Sequence, residues 1–293
     1  MYEQFLEIAF EAELDTRECP ELLEVAADLC NEDQLTRAAA ITELRQIIFE
    51  RGECRPSRTD DEYLMRFLRA RNSIPARAHK LLVRYCGFRE AYKSLYEGVD
   101  LWGLFKVQDA YEGILYDRPD YGRISIFKFG SWDPSEYPVE DLVRAGMAMC
   151  EIGIRTPRLQ VMGGTVIVDL SGITFRHVAT LTPTVAYQIV CLMGLANPTR
   201  LRKCHIINYS WILNTFFYLF KRFIPQQAWE SIFFHGSDLK SLQQHIDKDC
   251  LPPRYGGTCR NMVSVGHWLK KIKKYRDTNF DKEMKELGYI IKE

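Results

Sequence analysis

The run His235-Gly-Ser-Asp238 holds the residue types of a hydrolytic triad, in which a histidine takes a serine proton while a carboxylate orients the ring. Adjacent residues on one backbone rarely converge in that geometry. The run therefore reads as a strand-to-helix turn, with Ser237 or Asp238 capping the helix that follows. The six histidines form no HExxH pair, and the chain contains no GxSxG, GxxxxGK[ST] or GxGxxG, so no zinc-bound water, nucleophile elbow or phosphate cradle is expected. The nine cysteines, Cys19, Cys30, Cys54, Cys86, Cys150, Cys191, Cys204, Cys250 and Cys259, are odd in number and hold no CxxC pair. That pattern suits reduced thiols in the cytosol and not a disulfide framework. Neither an enzyme nor a metal or cofactor site is expected.

What stands out is basic and apolar. Formal net charge is zero, yet no Asp or Glu lies between Asp169 and Glu230, while Arg176, Arg200, Arg202, Lys203, Lys221 and Arg222 all fall inside. A surface that meets a polyanion needs such a gap. Within it, the stretch from Trp211 to Ile224, ended by Pro225, is apolar nearly all round when wound as a helix. Such a helix is buried on all sides, or meets an apolar ligand or a membrane with its second face. Lys221 and Arg222 need water or phosphate close by. A lid over an apolar cavity meets both requirements. The window from Trp211 to Phe220 is about half the length that spans a bilayer, and Met1 to Asp33 is acidic without an apolar leader, so a cytoplasmic, reversibly membrane-associated protein is expected. Glu151, on an otherwise apolar helix after Pro138, either faces solvent or holds a ligand hydroxyl at a cavity wall.

The elements that position these residues follow from periodicity. Hydrophobic residues make up 46% and charged residues 27% of the 293 positions, the range of a folded globular chain. From Leu22 to Leu95 the pattern is helical: Leu35, Ala39, Leu44, Ile47 and Ile48 recur near helical spacing, Gly52 is a stop, Thr59 and Glu62 form a capping box, and Pro75 opens another helix. Arg66, Arg69 and Arg71 lie away from the apolar stripe of Tyr63, Leu64, Phe67 and Leu68. After Gly122, strands are expected at Arg123 to Phe129, Thr165 to Leu170, Lys203 to Ile207 and Ile232 to Phe234, with helices after Pro138 and Pro183 between them. Strand, crossover helix, strand is the signature of a mostly parallel α/β sheet. Pro252, Pro253, Gly256 and Gly257 close this unit. The division is therefore 1–100 helical, 101–258 α/β, and 259–293 a charged helical tail.

Phe67-Leu-Arg-Ala-Arg71, Trp132-Asp-Pro134, Val168-Asp-Leu-Ser-Gly172, His205-Ile-Ile-Asn208 and Leu251-Pro-Pro-Arg-Tyr-Gly-Gly257, in that order, resemble the CRAL-TRIO family over roughly Thr59 to Gly257. The subgroup it resembles is that of the α-tocopherol and retinaldehyde carriers. The resemblance implies a helical N-terminal unit on an α/β pocket domain that holds a bound hydrophobic lipid under a mobile helix. It places Val143, Gly146, Cys150, Val168, Ile189, Leu192 and Cys204 at pocket-lining positions. Met147, Glu151, Met193, Phe216 and Phe220 complete the expected pocket. Phe175, Trp211, Ile212, Phe216 and Leu219 are expected to meet the membrane, and Arg71, Arg200, Arg202, Lys203 and Lys221 its anionic head groups, phosphoinositides included. Gln227 and Ser231 stand where that carrier has two further basic residues. Thr199, Ala228 and Ser231 replace the Glu, Thr and Lys with which the phosphatidylinositol-transferring branch holds inositol phosphate.

The expectation is a monomeric lipid-transfer protein for a tocopherol-, retinoid- or other isoprenoid-like molecule, with no nucleic-acid partner. Phosphatidylinositol transfer, or a lipid-sensing scaffold that transfers nothing, is the alternative.

Overall fold

The computed structural model describes residues 2–114, 121–209 and 213–292. The chain begins with helices α1 (Tyr2–Ala12), α2 (Pro20–Cys30), α3 (Arg37–Arg51), α4 (Asp61–Arg69) and α5 (Pro75–Ala91). Gly52 ends α3 at φ +60, a conformation that glycine adopts without a Cβ clash. Pro75 opens α5, where its missing N–H breaks no helical bond. The capping box expected at Thr59 sits one residue later: Asp60 caps α4 by accepting from the Tyr63 N–H at 3.1 Å, while the Thr59 carbonyl accepts from Arg45 Nε at 3.0 Å. Leu64, Phe67 and Leu68 pack on Ile41, Leu44 and Ile48 of α3 and on Leu81 and Leu82 of α5, forming a core of their own.

Next come β1 (Tyr111–Ile114), β2 (Arg123–Lys128), α6 (Val139–Gly153), α7 (Pro157–Met162), β3 (Gly164–Asp169), α8 (Phe175–Thr180), α9 (Pro183–Val190) and β4 (Leu201–Ile207). The chain finishes with α10 (Leu213–Lys221), β5 (Ile232–Gly236), α11 (Leu239–Gln243), β6 (Met262–Ser264), α12 (Val265–Tyr275) and α13 (Thr278–Glu286). Among the described residues the strands form one sheet in the order β5-β4-β3-β2-β1-β6. The run from β2 to β5 is parallel, and β1 and β6 add antiparallel at one edge. One face carries Ile124, Ile126, Ile167 and Ile207 onto Leu242, Ile246, Leu251 and Tyr255. The other face is turned toward α6 and α9.

The sheet does not stop at the Gly256-Gly257 turn. β6 lies beyond it, and α13 delivers Phe280 and Met284 into the cluster that holds Leu142 and Met147. The described residues from 259 onward are thus integrated into the α/β core instead of trailing as a tail. The turn itself is sterically demanding: a Cβ on Gly257 would sit 2.0 Å from the Leu251 carbonyl oxygen. Tyr255 Oη donates to Asp169 Oδ2 at 2.6 Å and ties this turn to the end of β3.

Arg66 and Arg69 are 2% and 1% exposed, although the sequence places them off the apolar stripe. Each is buried against carboxylates brought by distant segments, which a local pattern cannot register. Arg69 donates to Glu32 at 2.7 Å, to Glu18 at 2.6 Å and to Gln160 at 2.9 Å. Glu283 of α13 accepts from Arg66 and Arg155, each at 2.7 Å, and from Arg58 at 3.2 Å. These contacts join the helical unit, the sheet domain and the C-terminal helices.

Candidate ligand cavity

Because side chains alternate across a strand, the residues between those of the packed sheet face point the other way. Ser125 and Phe127 of β2, Val166 and Val168 of β3, Cys204 and Ile206 of β4, and Ile232 and Phe234 of β5 form the floor of a cavity of about 770 Å³. Val143, Gly146, Met149, Cys150 and Gly153 make the α6 wall. Ile189 and Val190 of α9 and the turn of Leu192, Met193 and Gly194 make another. That turn is a π-type widening of the helix end, with Gly194 at φ +109, a distortion that recurs where helices border functional sites. Phe217 and Phe220 of α10, with Ile224, cover one end.

Most of the expected pocket residues meet here: Val143, Gly146, Cys150, Val168, Ile189, Leu192, Met193, Cys204 and Phe220 all line the cavity. Met147 and Glu151 do not line it. They lie roughly 100° round the α6 axis from Gly146 and Cys150, so Met147 packs into the core behind the wall. Glu151 is 1% exposed and faces the helical unit, accepting from Tyr85 Oη at 2.9 Å and from Arg89 Nη1 at 2.7 Å. It is neither solvated nor a ligand contact; it clamps α5 onto α6. Trp211, Ile212 and the Phe216 side chain lie outside the described residues. Leu219 packs on the core cluster beneath α10, whereas Phe175 and Tyr218 are 72% and 74% exposed. The His235-Gly-Ser-Asp238 run is accounted for by structure, with Asp238 Oδ1 capping α11 through the N–H groups of Lys240 and Ser241.

Sequence reasoning missed Met149, Gly153, Phe127, Val166, Ile206, Phe217, Ile232 and Phe234. Two signals could have found several of them: the i+3/i+4 spacing from Val143 and Gly146, and the period of two from Cys204.

The thiols in the wall are inert. Burial pushes both Cys150 and Cys204 up to about 12, so each is a small neutral apolar group near neutrality and not a nucleophile. Charged side chains border the cavity in two groups: Arg71, Arg84 and Arg200 with Thr199 at one rim, and Glu13, Glu112 and Arg123 on the side of β1 and β2. Arg71 donates to the carbonyls of Ala70 and Gly194 at 2.8 and 2.7 Å, and no carboxylate pairs with it among the described residues. Burial, and then the neighbouring Arg84 charge, push its guanidinium down to about 10. Arg200 Nη1 lies 3.1 Å from Cys30 Sγ. Lys203 sits over the Phe233 ring and Lys221 over Phe217. Arg71 and Arg200 therefore share the cavity rim, while Lys203 and Lys221 engage rings at the edge strand and on α10.

Residues 110–257 match the model of the CRAL/TRIO domain. The chain belongs to the CRAL-TRIO family. It is 30% identical to Clavesin-1 of Xenopus laevis over 266 residues, 89% of this chain and 80% of that protein. It is 32% identical to Clavesin-2 of Homo sapiens over 263 residues, 86% of this chain and 78% of that protein. The crystal structure of Sfh5 superimposes with a TM-score of 0.48 at 14% identity, covering 78% of this chain and 89% of its own. A CRAL-TRIO protein binds hydrophobic lipid, and the cavity between the sheet, α6, α9 and α10 has the apolar lining that such a ligand needs. Among the described residues no helix is long and apolar enough to cross a membrane.

Proposed function

We propose that this protein carries one hydrophobic molecule of isoprenoid size in the cavity under α10 and exchanges it at anionic membrane surfaces from the cytoplasm, as a monomer and without covalent chemistry. The carrying observation is the cavity itself: about 770 Å³, bounded mainly by aliphatic and aromatic side chains and two neutral thiols, with Glu13, Glu112 and four arginines also on its lining. At the packing density of protein interiors that volume holds roughly 30 non-hydrogen atoms. One tocopherol, retinoid or other isoprenoid matches that volume. A second reading, phospholipid transfer, draws support from Arg71, a half-buried guanidinium at the rim with carbonyl partners only among the described residues, which suits a phosphate-bearing head group.

Membrane exchange is read from the exposed aromatic rings of Phe175 and Tyr218 and from the basic stretch of Arg200, Arg202 and Lys203. Each basic residue near an anionic surface contributes about 1 kcal/mol, screened by salt. Arg200→Glu with Arg202→Glu should slow transfer to phosphoinositide-containing vesicles roughly tenfold at low salt. The difference should shrink at high salt, and transfer to neutral vesicles should stay within twofold of the unaltered protein. Equal rates for both proteins at low salt would remove the anionic surface from the account.

A further inference from the structure

Behind the cavity wall, on the opposite face of β4 and β5, three histidines meet. His205 and His235 are 0% and 7% exposed, and His245, just after α11, is half-buried. Their ring centroids lie 5.1, 5.3 and 5.4 Å apart, and Phe233 covers both His205 and His245. His205 Nδ1 is 2.9 Å from His235 Nε2, and His235 Nδ1 is 2.8 Å from Ser241 Oγ of α11. His205 Nε2 is buried without a partner. An orphan N–H is more unfavourable than an orphan lone pair, which selects the tautomer: His205 Nδ1–H donates to His235 Nε2, and His235 Nδ1–H donates to Ser241.

An added proton has no good place in this chain. Placed on His205 it creates a buried N–H with no acceptor, and a second proton puts two N–H groups face to face in the 2.9 Å contact. The charged groups that act on the three rings are Lys203, which opposes protonation of His205 and His245, and Asp238, which favours it on His235. Among the described residues no group of histidine, cysteine and carboxylate side chains here is arranged to hold a metal ion. The cluster is also coupled mechanically to the cavity. Cys204 and Ile206 flank His205, and Phe234 precedes His235, all three lining the cavity. β5 is an edge strand, joined to the covering helix α10 by the 3₁₀ turn Gln226–Ser231.

We propose that the His205, His235 and His245 cluster is a proton-operated release for the cavity: on acidification β5 and α11 part behind the wall, and the bound lipid escapes. The inference rests on the carrier reading above. Burial pushes His205 down to about 3, with the other two rings and Lys203 adding to the effect, and burial also lowers His235 and His245. The closed form therefore binds fewer protons than an open one, and its advantage, full above the ordinary histidine value of 6.5, is lost as pH falls toward 3. One histidine released to its ordinary value favours opening about 30-fold at pH 5.0 relative to pH 7.5.

The test loads the protein with all-trans-retinol, a neutral fluorescent probe, and follows transfer to phosphatidylcholine vesicles, which do not titrate in this range. Transfer should be at least about tenfold faster at pH 5.0 than at pH 7.5. His205→Gln, which removes the ring held furthest from its ordinary value, should lower that ratio at least about fivefold, and His245→Gln, which leaves the other two rings in place, at least about twofold. Should His205→Gln not fold, the half-buried His245→Gln carries the comparison alone. A pH-independent rate in the unaltered protein, or full acceleration retained in His245→Gln, overturns the proposal. Failure to take up retinol at pH 7.5 counts against an isoprenoid carrier and not against the switch. Amide exchange at residues 232–236, corrected for intrinsic chemistry, then decides the switch, with faster opening at pH 5.0 supporting it and equal opening overturning it.

Discussion

Cys150→Trp should leave the protein folded and cut uptake of a retinol or tocopherol probe about 100-fold. Cys150 sits in the last turn of α6 on the cavity wall, beside the turn at Leu192, with its thiol 3.8 Å from the Leu192 carbonyl oxygen. The indole has empty space to enter, so the overpacking that costs about 1 to 3 kcal/mol in a filled core is largely avoided. It removes room that a ligand of this size needs and blocks the path between the sheet floor and the turn at Leu192. Binding should therefore fall far more than the unfolding midpoint does. Uptake within threefold of normal by a folded variant would mean that ligand, if any, sits elsewhere. Met147→Trp is the matched control, three residues earlier on α6 and outside the cavity; it should destabilise the core behind the wall without selectively affecting uptake.

Glu283→Ala should destabilise the protein by about 3 to 5 kcal/mol, because it strands Arg66 and Arg155, both nearly fully buried, without their shared carboxylate. For a chain of this length that is roughly a 5 to 8 °C fall in Tm. Burial alone would raise the Glu283 carboxyl, but Arg66 and Arg155 outweigh it and hold it below the ordinary range. Its contribution is therefore present above the ordinary glutamate value and is lost as pH falls through the lowered one. Stability of the variant should accordingly depend less on pH in the acid range. Adding Arg66→Met should recover part of the loss, since an apolar side chain needs no counter-charge. A Tm within 2 °C of normal for Glu283→Ala would show that α13 is not held by this network.

Much of the architecture was legible because its signals are local. The β-branched run of β3, the proline starts of α5, α6 and α9, and the Gly52 stop each act within a few residues. β1 and β6, of four and three residues, are too short to show alternation, and they exist only because the sheet edge is there to pair with. The cavity face of α6 was legible from Val143, Gly146 and Cys150, yet Met147 and Glu151 were placed on it by sharing a helix and not by helical angle. Arg66, Arg69 and Glu151 show the general limit. Their partners lie 217, 37 and 66 positions away, so a sequence read in windows sees a polar residue and infers water. The histidine cluster escaped for the same reason, since three separate segments supply it.

The most direct test of the carrier account is native mass spectrometry of the intact protein as purified, followed by solvent extraction and identification of whatever it holds. The account predicts one hydrophobic molecule per chain, of isoprenoid size, displaced when Cys150 is replaced by tryptophan. A protein that emerges without lipid, and that also leaves every isoprenoid and phospholipid offered to it in the donor vesicles, would contradict it.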